Sequence, residues 1–116
     1  MSVKLFKSNE ITMHHRGGPP GTASVGRAVD SQTSNTMGAG LAFFDQCSVA
    51  WTVLYDEVIF VHSGIFRLRV EDHIYEGKAG DILWIPKGTA LSYEGESASI
   101  FYVVYPGNWK EIEGVN

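Results

Sequence analysis

From Ala39 onward, apolar residues recur with a period of two, and this alternation constrains the fold more than any other feature of the chain. In Ile65-Phe-Arg-Leu-Arg-Val-Glu71, Phe66, Leu68 and Val70 fall on one face of an extended segment, and Arg67, Arg69 and Glu71 on the other. Val, Ile, Phe, Tyr and Trp dominate the region, as half-buried strands require. Turn signals punctuate it at Ser63-Gly64, Glu76-Gly77, Ala79-Gly80, Lys87-Gly88 and Glu94-Gly95. Short strands between regular turns predict an all-β antiparallel sandwich or barrel. No long segment carries a helical period.

The first forty residues read differently. Arg16-Gly-Gly-Pro-Pro-Gly21 excludes a helix or a central strand, because proline lacks the amide donor and glycine adds backbone entropy. Residues 30–38 are polar turn formers, which leaves short extended pieces near 3–6 and 24–29. With 116 residues there is room for one core, so a single domain over 1–116 is expected. It divides into a loop-rich segment, 1–40, that packs on or crosses a barrel at 41–109. Apolar residues at 44% are enough to build that core.

The net charge of −4 argues against a nucleic-acid partner, since phosphate backbones are bound by cationic surfaces. The longest apolar run, Ile100 to Tyr105, is too short to cross a bilayer, so no membrane partner is expected. Met1 to Lys7 contains no apolar stretch of the secretory kind, and a cytoplasmic location is expected. The single cysteine, Cys47, excludes an intrachain disulfide and reads as a small buried side chain.

Two strings carry more specific information. Glu57-Val-Ile-Phe-Val-His-Ser-Gly64 places a glutamate seven residues before a glycine that opens the next strand. Gly80-Asp-Ile-Leu-Trp-Ile-Pro-Lys-Gly88 is a glycine-aspartate turn, a short apolar strand and a Pro-x-Gly turn. Their order and separation resemble the two motifs of the cupin superfamily, over about residues 45–105. The resemblance implies a single jelly-roll barrel, the double-stranded β-helix. Trp51-Thr-Val-Leu-Tyr-Asp-Glu57 and Tyr102-Val-Val-Tyr-Pro-Gly-Asn-Trp109 narrow it further, being similar to the cupin domain of the ethanolamine-utilisation protein Q family. That family implies a place in ethanolamine catabolism, and acetate kinase activity has been assigned within it. This chain shows no recognisable nucleotide site to go with such an activity: Lys87-Gly-Thr89 is not a phosphate loop.

Metal-binding cupins carry a His-x-His before the glutamate and a third histidine after the Pro-x-Gly turn. Those positions fall here at Trp51, Val53 and Leu91, which leaves Glu57 alone of the usual four. One carboxylate is too few for a divalent metal, so no metal or other cofactor is expected at that place. Parity puts Trp51, Val53, Tyr55 and Glu57 on one inward face of an extended segment. Leu91, Tyr93 and Tyr102 should join them from the second motif and the last strand. The implied pocket has aromatic walls and one carboxylate.

Glu57 is the candidate acid or base, with Tyr55 and Tyr93 as its partners. Trp51, Val53, Leu91 and Tyr102 are candidate ligand-contacting residues. His14 and His15 cannot both point the same way if extended, but either could reach over the barrel mouth. His62 has the opposite parity to Glu57, and His73 lies in a turn beside Glu71 and Asp72. Asp56 faces away from Glu57, which argues against a paired-carboxylate mechanism. Two readings follow: a binder of a small polar metabolite without the three-histidine metal centre, or a lyase or isomerase in which Glu57 works with the tyrosines, with a metal held in an unusual way as a variant. A homodimer is expected in either case, because the aromatic-rich outer face leaves apolar area to cover.

Overall fold

Alternating patterns become strands only when a partner takes up their backbone donors and acceptors, and here they do so in one continuous antiparallel network. The structure is a computed structural model that describes residues 2–114. In chain order it has β1 (His14–Gly17), β2 (Thr22–Val29), β3 (Gly38–Asp45), β4 (Ser48–Thr52), β5 (Asp56–Val70), β6 (His73–Lys78), β7 (Ile82–Ile85), β8 (Ala90–Tyr105) and a one-turn helix, α1 (Trp109–Ile112). The strands lie in the order β1-β2-β3-β8-β5-β6, with β4 on β8 and β7 on β5.

Two long strands organise the barrel. β5 and β8 pair from Asp56↔Tyr105 to Arg69↔Ser92, with register shifts on either side of Ser63. The outer half of this ladder carries β3 and β7, and the other half carries β4 and β6. The bend between the halves folds one sheet over the other. Ser63-Gly64 and Glu94-Gly95, expected as turns between strands, therefore lie inside β5 and β8. Gly64 has φ +76, and a side chain there would strike the Ser97 backbone, so glycine makes a corner here and not a chain reversal. Glu76-Gly77 likewise lies inside β6, whereas Gly80 and Gly88, with φ +97 and +95, sit at real reversals.

The N-terminal segment is more ordered than its composition suggests. The extended piece near 24–29 is part of β2, but residues 3–6 form no strand. Gly18–Gly21 turn the chain between β1 and β2, and β1 is an edge strand, as the glycines and prolines require. Ile11 and Met13 then cross over Gly26, where any Cβ would meet their side chains at 2.7 Å. The core is the inward parity set of both halves, including Val53, Ile59, Val61, Phe66, Leu68, Ile85 and Ile100. Phe44, Phe66 and Tyr93 form an aromatic layer within it, with centroids 5.6–6.3 Å apart. Cys47 is buried as a free thiol. Among the described residues no helix is long and apolar enough to cross a membrane.

Candidate functional site

An open cavity of about 1000 Å³ lies between the N-terminal strands, the barrel interior and the C-terminal turn of helix. Glu57 sits at its base, near the start of β5, and is 5% exposed. The Tyr93 hydroxyl donates to Glu57 Oε1 at 2.7 Å. The Trp51 indole N–H donates to the Tyr55 hydroxyl at 3.1 Å. Trp109 closes the aromatic wall, edge-on to Trp51 at 5.9 Å and tilted against Tyr55 at 5.1 Å.

Burial dominates the electrostatics. Loss of hydration pushes the Glu57 carboxyl up to about 7, against the opposing pull of the Tyr93 hydrogen bond and the Arg27 charge. Tyr55 is pushed up to about 12, by burial first and by the Glu57 charge second. Tyr93 is raised further for the same two reasons, so both phenols stay protonated at ordinary pH. The site holds a carboxyl able to give or take a proton near neutrality, beside two permanent hydroxyl donors.

The structure brings together Glu57, Tyr55, Tyr93, Trp51, Tyr102 and His14 on the cavity wall. It does not bring Val53, Leu91 or His15 there. Trp51 to Glu57 is not one extended segment: β4 ends at Thr52 and β5 begins at Asp56. The Val53 amide and carbonyl are tied to Thr89 and Gly88 across that gap, which draws its side chain fully into the core. Leu91 pairs with Trp51 and is buried, and it is Trp51 that reaches the opening. Strand alternation sends His14 to the cavity and His15 to the opposite side of β1. His62 is exposed, and His73 is an exposed residue tilted against Tyr75 at 4.3 Å. Asp56 accepts from the Lys87 amide at 2.9 Å and Asp81 from the Lys78 amide at 2.8 Å, so both serve turns.

Arg27 and Trp109 are the wall residues that sequence reasoning missed. Arg27 has the same parity in β2 as Ala23 and Val25, which would have marked it as inward. Trp109 stands in the Pro-Gly-Asn-Trp string already noted as a family feature. The side chains next to Glu57 are phenols, and among the described residues no three His, Cys, Asp or Glu side chains converge.

A closed antiparallel jelly roll with a pocket at one end defines a cupin barrel. An RmlC-like cupin of known structure from Shewanella frigidimarina superposes with a TM-score of 0.68 over 90% of this chain and 92% of its own, at 15% identity. The family described as ethanolamine utilisation protein EutQ matches residues 1–111, and the chain belongs to that family. It is similar to the acetate kinase EutQ of Salmonella typhimurium, at 32% identity over 112 residues, which is 95% of this chain and 49% of that protein. The chain thus spans about half of that relative's length. The crystal structure of a putative ethanolamine utilization protein Q from Salmonella typhimurium superposes with a TM-score of 0.82, at 29% identity over 91% of this chain and 88% of that one.

Proposed function

We propose that this chain is a single-domain, cytoplasmic cupin of the EutQ family that binds a small polar metabolite without a transition metal. The observation that carries the reading is the open cavity of about 1000 Å³ whose wall combines aromatic side chains with polar groups, the Glu57–Tyr93 pair foremost. Cavities of this size and lining are the usual form of small-molecule sites. The acetate kinase named for the Salmonella relative is not extended to this chain, which offers no phosphate-cradling loop. The test is a thermal-shift panel of small amines, carboxylates, phosphates and polyols, with metal analysis of protein purified without a tag. A ligand that raises the melting temperature of the wild type but not of Tyr93→Phe and Trp51→Ala variants supports the reading. Near-stoichiometric Zn, Fe, Ni or Mn would overturn its metal-free part.

A second reading, a lyase or isomerase, is favoured by one observation: a buried carboxyl held at about 7 is suited to moving protons. Glu57 would act with Tyr55 or Tyr93, and Glu57→Gln would abolish turnover while leaving ligand affinity within a few-fold.

The functional unit we propose is a homodimer. Val58, Phe60, Trp84, Phe101 and Tyr105 are exposed on the outer face, where Val58 pairs with Trp84 and Phe60 with Phe101. A second copy of the same face would cover this apolar patch.

A further inference from the structure

Arg27 is a half-buried cation facing the cavity from β2, among wall residues that are mostly apolar. Its guanidinium lies 5.9 Å from the centre of the Tyr102 ring. The ion pairs among the described residues join Arg67 to Glu76 and Glu96, Arg69 to Glu94 and Lys87 to Glu113, and none includes it. Space is cleared for it. A Cβ at Gly38 would lie 2.5 Å from Arg27 Nη1, and a Cβ at Gly40 would lie 2.7 Å from the Tyr102 hydroxyl. Both glycines stand in β3, a strand flanked on both sides, where glycine weakens the sheet. The sequence therefore keeps a furrow open beneath an arginine that forms no ion pair among the described residues and whose charge is felt by the Glu57 carboxyl.

The charge of the interior follows. Arg27 cannot lose its proton. Among the described residues Glu57 is the only buried acid, and its other neighbours are the hydroxyls of Tyr93 on β8 and Tyr55 before β5, with apolar Ile85 of β7 and Val104 of β8 beside it in the sheet. Around the rim stand His14, Arg16 and Lys110, and the acids Glu10, Asp30 and Glu111, all exposed and screened by water. With Glu57 neutral, the interior is net positive in a chain whose net charge is −4.

We propose that Arg27 receives an oxyanion of the cavity's ligand, a carboxylate or a phosphate, and that the ligand is bound together with the proton on Glu57. This rests on the cavity being the ligand site. A bound anion beside Glu57 opposes its ionisation, so the complex is strongest where the carboxyl is neutral and weakens as it ionises. A cationic amine would show the reverse, because it would gain from the ionised carboxylate and be repelled by the guanidinium.

Isothermal titration of the whole chain with propionate, sulfate and ethanolamine at pH 6 and pH 8 tests this. Sulfate, whose charge is constant over that range, represents the phosphate group. Propionate or sulfate should bind, about tenfold more weakly at pH 8 than at pH 6 for a carboxyl that titrates near 7. Binding of propionate but not sulfate assigns the carboxylate, and the converse assigns the phosphate. Arg27→Gln should weaken binding about tenfold or more. Glu57→Gln should remove the pH dependence, which separates Glu57 from His14 on the same wall. If Arg27→Gln does not fold, Arg27→Lys carries the test, because it keeps the charge and loses the planar fork; several-fold weaker binding is expected. Preferred binding of ethanolamine that strengthens with pH, or anion binding unaffected by the Arg27 variants, overturns the inference and leaves the cavity as a ligand site. No binding of any probe, with no change in melting temperature, removes the cavity reading and this inference with it.

Discussion

Tyr93 and Glu57, which are 36 residues apart, are joined hydroxyl to carboxyl at 2.7 Å across the two longest strands of the barrel. The bond ties the one buried acid among the described residues to the ladder that holds both halves of the fold together. Its energetics set the first two predictions.

Burial holds the Glu57 carboxyl at about 7 in the folded chain, against about 4.5 when unfolded. Between those values the folded state keeps a proton that the unfolded state has lost. The stabilisation is complete below about pH 4.5, is lost as the pH rises to about 7, and is constant above it. The loss is on the order of 3 kcal/mol. Urea denaturation of wild type and Glu57→Gln at pH 4.5 and pH 7.5 should show wild type losing about that much relative to the variant. Parallel pH profiles would mean that Glu57 titrates as an exposed acid does.

Tyr93→Phe removes the donor that partly offsets burial. The Glu57 carboxyl should then titrate above its wild-type value, and stability at neutral pH should fall by about 1–2 kcal/mol. Carboxyl chemical shifts of Glu57 across pH report the first effect and denaturant midpoints the second. An unchanged or lower titration point would separate the two groups in solution.

Gly38→Ala and Gly40→Ala should differ in stability although both stand in β3. At position 38 the new methyl meets the movable end of Arg27 and, at 2.9 Å, a methyl of Val104, and about 1–2 kcal/mol is expected. At position 40 it meets the Gly26 carbonyl of the paired strand, which cannot yield without opening the sheet, and about 3 kcal/mol or more is expected. Thermal denaturation of the two variants ranks them. Equal losses would show that β2 and β3 are less closely paired than described.

Light scattering at micromolar concentration should give twice the chain mass of 12.8 kDa. Trp84→Glu, at a side chain 62% exposed on the outer face, should return it to the monomer mass with the same circular dichroism. A wild-type monomer would reject the homodimer.

Strand character was legible in the sequence because side-chain alternation is a local property: Phe66, Leu68 and Val70 face inward in the barrel as their spacing requires. Glu57, Tyr93 and Tyr102 were placed on the inward face by the same rule. Local pattern could not say which glycines reverse the chain and which bend it. Ser63-Gly64 and Glu94-Gly95 look like Lys87-Gly88 in sequence, yet the first two lie within strands because β5 and β8 pair along their whole length. Parity sent Val53 and Leu91 inward correctly, but it could not say that they would pack into the core while Trp51, 37% exposed, lines the opening. Arg27 was hidden for a related reason. Its surroundings come from Gly38 and Gly40 on β3 and Tyr102 on β8, and only closure of the barrel sets a guanidinium from the glycine-rich N-terminal segment on the same cavity wall as Glu57, within reach of its charge.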